Sequence, residues 1–301
     1  MILTKSNLSQ LLSTVKRAAQ NAGEYILKES SSQFEVIGKS GGDSLASQVV
    51  TKIDIMAQEI ILKEILPTCQ EFDIALLTEE LEDDKSRLIK DYFWAVDPLD
   101  GTLPFIEKSD GYAVSIALLT KGGTPVVGVV YHPPTQTIYS AIKGEGVYKN
   151  GKPLSPSDNK NTNFSLYFDR SFLLTPNFDK SVKELKGLAQ MSNLGSLKIS
   201  SQMGAVANAI SVLESAPACY FKFPKSKRGG GSIWDYAAVT LFFNEIDYFV
   251  TDIYGKRLKL NNSTTLFMND GGIIFATSSD IWQGVKDIWA RINGDGGSCG
   301  E

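Results

Sequence analysis

Apolar positions near the N-terminus recur every three to four residues. Leu8, Leu11, Leu12, Val15, Ala18, Ala19, Ala22, Tyr25 and Ile26 form one helical stripe, which ends near Glu29-Ser30-Ser31-Ser32. The glycines and serines of "FEVIGKSGGDSLASQ" (34–48) predict a mobile loop. Residues 49–66 return to helical spacing through Ile53, Met56, Ala57, Ile60, Ile61, Ile65 and Leu66. "FDIALLTEELEDD" (72–84) predicts a strand running into acids at Glu79 and Glu80, followed by a solvated charged segment over 82–91. From 111 to 150 the period shortens to that of strands: "YAVSIALLT", "PVVGVVYH", "TIYSAIK" and "GVYKNGKPL" predict a mostly antiparallel meander.

The second half alternates short strands with helices, near 177–191, over "GAVANAISVLES" and over "SIWDYAAVTLFFNE", and closes on a pair of strands. The polar region 153–163 is the expected boundary between an N-terminal α+β lobe (1–155) and a C-terminal α/β lobe (156–301). The pattern belongs to an α/β (α+β) fold with helices covering sheets.

With 301 residues and 43% hydrophobic content, the chain can bury a sizeable core. A net charge of −4 argues against a nucleic-acid polymer as partner. Cys69, Cys219 and Cys299 are odd in number and widely spaced, which suits a reduced, cytoplasmic compartment. No apolar run reaches the length of a membrane span, and the N-terminus lacks the apolar core of a signal peptide.

Several chemistries fall away. The sole histidine, His132, precedes Pro133-Pro134 in a turn, a poor place for the base of a nucleophilic triad. "GKS" at 38–40 lacks the upstream glycine of a phosphate-binding P-loop, and "GEGVYKNG" reads as a hairpin. "GGG" at 229–231 follows Lys225, Lys227 and Arg228 as a flexible basic loop. Acids remain: Asp54 at a helix start, Glu79 and Asp97/Asp100 at strand ends, and Asp235 after Ile233-Trp234. Carboxylate oxygens in apolar surroundings suit hard divalent cations such as Mg²⁺. Asp100-Gly101-Thr102 is equally a helix-cap sequence, a reading that leaves Asp97 without a role.

"DPLDGT" (97–102) resembles the signature of the inositol monophosphatase superfamily of Mg²⁺-dependent, usually lithium-sensitive phosphomonoesterases. "VVTKID" (49–54), "TEE" (78–80), the central strands and "WDYAA" (234–238) are similar to further family segments in the same order, over roughly 30–260. The resemblance implies a layered αβαβα sandwich, commonly a homodimer, with two or three Mg²⁺ ions per site. It assigns metal ligation to Glu79, Asp97, the Leu99 carbonyl, Asp100 and Asp235, and orientation of the attacking water to Asp54 and Thr102. The amides of Gly101 and Thr102 would hold the phosphate, and Ala205 and Lys222, with Asp100 and Asp235, would face the substrate.

The chain also departs from the pattern. Leu103-Pro104-Phe105-Ile106 replaces the Thr-Asn-Phe of inositol-specific members, and its Phe-Ile ending resembles the bisphosphate nucleotidase branch. "QMGAVANA" (202–209) lacks a Gly-Ser/Thr-Ala hydroxyl, and Lys222 stands where a polyol-reading glutamate is expected. The loops before Asp54 and before Trp234 are longer than usual, and "NEIDYFVTD" lacks a Glu-Ala-Gly-Gly stretch. The expected activity is hydrolysis of a small phosphorylated metabolite, leaning to a 3′(2′),5′-bisphosphate nucleotide because a lysine suits a second phosphate. Inositol phosphate and a sugar bisphosphate are the alternatives, and a non-catalytic phosphometabolite-binding protein is the rival of another class.

Overall fold

The N-terminal helix α1 (Lys5–Glu29) starts at Thr4, whose hydroxyl accepts the Asn7 amide while the Asn7 side chain accepts the Thr4 amide. The computed structural model describes residues 2–30, 36–38, 49–156, 163–192 and 194–295. The expected loop at 34–48 and the residues just past the expected lobe boundary, 157–162, lie largely or wholly outside them. An antiparallel pair, β1 (Val36–Gly38) and β2 (Val49–Thr51), leads into α2 (Lys52–Glu71). The predicted helix over 49–66 therefore begins three residues later, because the β-branched Val-Val-Thr run pairs as a strand.

Seven strands follow in the order β3 (Ile74–Thr78), β4 (Tyr92–Asp100), β5 (Ala113–Thr120), β6 (Pro125–His132), β7 (Thr137–Ile142), β8 (Val147–Lys149) and β9 (Lys152–Leu154). Only β3–β4 is parallel; the rest is the predicted meander, interrupted by the short α3 (Thr102–Ile106). The second sheet orders β11 (Leu197–Ser200), β10 (Phe164–Tyr167), β12 (Ala218–Lys222), β14 (Ile273–Ala276) and β13 (Phe249–Thr251). Its helices are α4 (Phe178–Met191), α5 (Ala205–Glu214), α6 (Ile233–Glu245) and α7 (Ser279–Asp295).

Three apolar layers hold the stack together. α1 and α2 cover the outer face of the larger sheet through Leu11, Val15, Ile61, Trp94 and Val129. α5 and α6 fill the space between the sheets, where Trp234, Phe242, Phe243, Tyr220 and Phe275 meet. α4 and α7 cover the far face through Leu185, Val285 and Ile288 against Phe164 and Ile274. The order is α-β-α-β-α, as the resemblance implied. α6 is apolar on every side because each side faces protein: its buried residues include consecutive positions from Tyr236 to Phe243.

Two expectations need correction. The charged segment 82–91 is not simply solvated: Arg87 is fully buried, with Nε 2.9 Å from Asp83 Oδ2 and the guanidinium also bonded to the Asn261 side chain. A charge that stays inside must keep partners, and these lie four and 174 residues away. The chain also does not close on strands. α7 follows β14, with Ile281, Val285, Ile288 and Ile292 buried at helical spacing.

Close approach of α1 to the larger sheet depends on small residues. A methyl group at Gly23 would lie 2.1 Å from Cδ1 of Tyr131, a buried ring with little room to move. Gly23→Ala is therefore expected to destabilise the protein by about 1–3 kcal/mol despite the better helix propensity of alanine. Urea denaturation of the two proteins measures the difference.

Candidate active site

On a regular strand, residues three apart face opposite sides of the sheet. Asp97 and Asp100 do not, because β4 bulges between them: Asp97 pairs with Ser115 and Asp100 with Ala113, three steps against two. Pro98, which has no amide proton for the ladder, occupies the irregular stretch. The Leu99 amide donates to Asp97 Oδ1 at 3.0 Å and fixes the carboxylate in the turn.

The third acid arrives from the helix layer. Asp235 lies in the first turn of α6, and its Oδ2 accepts the Ser232 amide at 2.9 Å. Ser115, the strand partner of Asp97, donates its hydroxyl to the Trp234 carbonyl at 3.2 Å and so pins the start of α6 to β5. Asp97, Asp100 and Asp235 each present an oxygen, and all three oxygens lie within 4.8 Å of one another. Glu79 follows β3, its amide donating to the Val96 carbonyl at 3.1 Å, and lines the same cavity.

Asp100 is held on a second side. Its two oxygens accept the amides of Ala205 at 3.0 Å and Val206 at 2.8 Å, in the first turn of α5. The departure at 202–209 thus leaves backbone donors in place, and Ala205 acts through its amide on Asp100. Gly204 must remain without a side chain, since a Cβ there would lie 2.4 Å from Asp100 Oδ2 and 2.7 Å from Gly101 Cα. Gly101 has φ +84° and lies against the Gly111 carbonyl, while the Thr102 hydroxyl donates to the Leu99 carbonyl at 3.3 Å.

The electrostatics follow from crowding like charges out of water. Burial, then the charges of Glu79, Asp235 and Asp100, raise the Asp97 carboxyl well above the ordinary range. Asp100 is raised by burial and by Asp235, against the opposing effect of the Val206 and Ala205 amides and of Lys222. Burial and Glu79 push Asp235 up to about 6, with Lys222 and the Ser232 amide acting the other way. A cluster of carboxylates with a backbone carbonyl beside it fits a hard divalent cation, whose charge removes the repulsion that burial amplifies.

All the predicted site residues except Asp54 line one cavity of about 740 Å³. Asp54, in the first turn of α2, is buried and is not among the described residues lining that cavity. Lys222 is on the wall but its charge is already matched: Nζ lies 2.5 Å from Asp169 Oδ2. Burial disfavours the ammonium, yet Asp169, Tyr236 and Asp235 together keep the group above the usual lysine range. Asp169 also accepts the Tyr220 hydroxyl at 2.9 Å. The glycine run at 229–231 is more constrained than a flexible loop, since a Cβ on Gly231 would lie 2.1 Å from the Tyr236 hydroxyl. Sequence reasoning missed Asp169, Gly204 and Val206; Asp100 meets Val206 across 106 residues, and no local pattern signals such a contact.

Comparison with known proteins shows the family and the fold. The model of the inositol monophosphatase family matches residues 7–287. The fructose-1,6-bisphosphatase/inositol-1-monophosphatase of Aquifex aeolicus is 36% identical over 156 residues, 51% of this chain and 55% of the relative. The chain spans about half the length of the curated relatives it matches. Among solved structures, Thermotoga maritima IMPase has a TM-score of 0.71 at 22% identity, covering 95% of this chain and 99% of its own. A structure of 2′AMP-bound SaIMPase-II gives 0.68 at 22% identity, over 95% and 96% of the two chains. Likeness at that identity speaks for the fold.

The raised carboxyls give a pH signature. Without metal they favour the folded state most when protonated, below the ordinary carboxylate range, and that contribution is lost as pH rises through about 6 for Asp235. A cation must displace those protons. Saturating Mg²⁺ is therefore expected to raise the melting temperature by at least ~3 °C near pH 8 and by much less near pH 5. Thermal melts with and without Mg²⁺ at both pH values decide it; an equal shift at both would contradict the assignment.

Proposed function

The chain belongs to the inositol monophosphatase family, and we propose that it is a Mg²⁺-dependent, lithium-sensitive phosphomonoesterase acting on a small phosphorylated metabolite. The observation that carries this reading is the meeting of Asp97, Asp100 and Asp235 within 4.8 Å, the first two buried and the third half-buried, all raised in pKa, on the wall of a large cavity.

Glu79, Asp97, Asp100, Asp235 and the Leu99 carbonyl would hold two or three divalent ions. When bound, such ions neutralise phosphate oxygens, acidify the attacking water and stabilise the leaving alkoxide. The protein's own part is positional. The bulge in β4 and the first turns of α5 and α6 fix the carboxylates from three directions, so little reorganisation accompanies the reaction. The amides at Gly101 and Thr102 would receive phosphate oxygens, and the hydroxyl of Thr102, with Asp54, would orient the water.

For the substrate we favour a 3′(2′),5′-bisphosphate nucleotide. Phe105-Ile106 in the signature and a basic residue at Lys222 support it. The ion pair with Asp169 limits the argument from Lys222, because a second phosphate would have to share that lysine. Inositol phosphate and sugar bisphosphate are the competing substrates. The reading includes a cytoplasmic homodimer with a lobe boundary near 155; among the described residues no helix is long and apolar enough to cross a membrane.

A second reading rests on one observation: Ala205 offers no hydroxyl where the family pattern has Ser or Thr. On that reading the protein binds a phosphometabolite without turning it over, and calorimetry would show binding of Mg²⁺ and phosphate with no phosphate release. The phosphatase reading expects Mg²⁺-dependent release, inhibited by Li⁺, from at least one of adenosine 3′,5′-bisphosphate, inositol 1-phosphate and fructose 1,6-bisphosphate. Asp97→Asn is expected to reduce turnover at least ~100-fold, since loss of a direct ligand should exceed the loss of an outer partner. Turnover that survives chelation would refute the proposal.

A further inference from the structure

The cavity is much larger than a carboxylate cluster and a phosphate require, and its far wall is aromatic. Phe172, Phe223 and Trp289 line it beyond the acids. Phe172 follows Asp169 by three residues in the 3-10 turn Arg170–Leu174, and its ring stands edge-on to Phe223 at 5.7 Å. Phe223 lies next to Lys222 in sequence, and its ring is 5.1 Å from that of Trp289 on α7, tilted by 32°. Leu174, on the same rim, is 88% exposed.

These rings pack against the outermost core but are only partly buried. Had they served packing alone, the neighbouring side chains would be expected to close over them; instead they face a cavity of about 740 Å³ that is continuous with the acid cluster. The Lys222–Asp169 pair lines the same cavity as the rings and the acid cluster, Asp100 and Asp235 included. A matched ammonium and carboxylate offer a donor and an acceptor side by side, which suits sugar hydroxyl groups, while Arg170 and Lys225 on the same wall bring positive charge that a second phosphate could meet.

We propose that this wall is a subsite for a planar aromatic ring on the substrate's leaving group, so that the cavity takes a nucleoside phosphate. The phosphate would lie at the carboxylates, the sugar hydroxyls at Lys222 and Asp169, and the base on Phe223 and Trp289. The assignment rests on the phosphatase reading above for the phosphate end only. Flat bases bind flat rings through stacking and burial of apolar area, without needing a matched hydrogen-bond pattern. A polyol such as inositol, with a hydroxyl on every carbon, would leave polar groups unpaired against such a wall.

The test compares adenosine 3′,5′-bisphosphate with inositol 1-phosphate, in Mg²⁺, on wild type, Trp289→Ala, Trp289→Phe and Phe223→Leu. Trp289→Ala and Phe223→Leu are expected to raise KM for the nucleotide about 10-fold, leaving kcat and all inositol 1-phosphate kinetics within about 2-fold. Trp289→Phe, which keeps a flat ring, should restore most of the loss. An equal loss on both substrates, or none on either, would overturn the subsite.

Fluorescence of the wild type, titrated with adenosine 3′,5′-bisphosphate, gives a readout independent of turnover. Quenching that disappears in Trp289→Phe supports the subsite even if no substrate is hydrolysed and even if Trp289→Ala fails to fold. Hydrolysis of inositol 1-phosphate with no nucleotide-dependent quenching would sustain the phosphatase reading and reject the aromatic subsite.

Discussion

The structure depends on keeping several carboxylates together in a place where water does not separate them. Asp97 and Asp100 are almost fully buried and Asp235 stands against them. Isolated, each would be costly, and together they repel. The fold accepts that cost by giving each acid a fixed set of donors: the Leu99 amide for Asp97, the Ala205 and Val206 amides for Asp100, and the Ser232 amide for Asp235. Backbone donors soften the repulsion without cancelling it, and that residual repulsion is what a divalent cation would relieve.

The layered architecture serves this arrangement. The larger sheet delivers two acids from one bulged strand and a third from the neighbouring strand end; the helices between the sheets deliver the fourth. Because α5 and α6 are packed on both sides by sheet, their first turns cannot drift. Two glycines mark where the backbones come closest. Gly204 leaves room for Asp100 and Gly101, and Gly101 leaves room for Gly111. The site is rigid because the segments carrying it are also the segments forming the central core.

The cavity has two chemical ends. One is anionic and fits cations with phosphate; the other is aromatic, with Arg170 and Lys225 beside the rings, and the Lys222–Asp169 pair lies on the same wall. Such a division favours a ligand that is itself polar at one end and flat and apolar at the other. It also changes the meaning of Lys222. Taken alone, a lysine facing a phosphate site suggests a second phosphate, whereas beside Asp169 it becomes half of a neutral pair.

The sequence by itself determined the helices α1, α2 and α4, the meander and the identity of the clustered acids. Those depend on local periodicity, turn residues and a contiguous motif, DPLDGT, flanked by similar segments in order. It under-read the charged segment around Arg87 and the final helix: burial of Arg87 rests on Asn261, and Val285 and Ile288 pack against a distant sheet. Tertiary structure alone decided that Asp97 and Asp100 share a face, that α5 reaches across to hold Asp100, and that Asp169 claims Lys222. Each of those turns on register or on contacts between residues more than 50 positions apart, or, for the two acids, on one extra residue in a ladder. Spacing along a chain says which side chains are available. Which of them face one another is settled only when strands pair and helices pack.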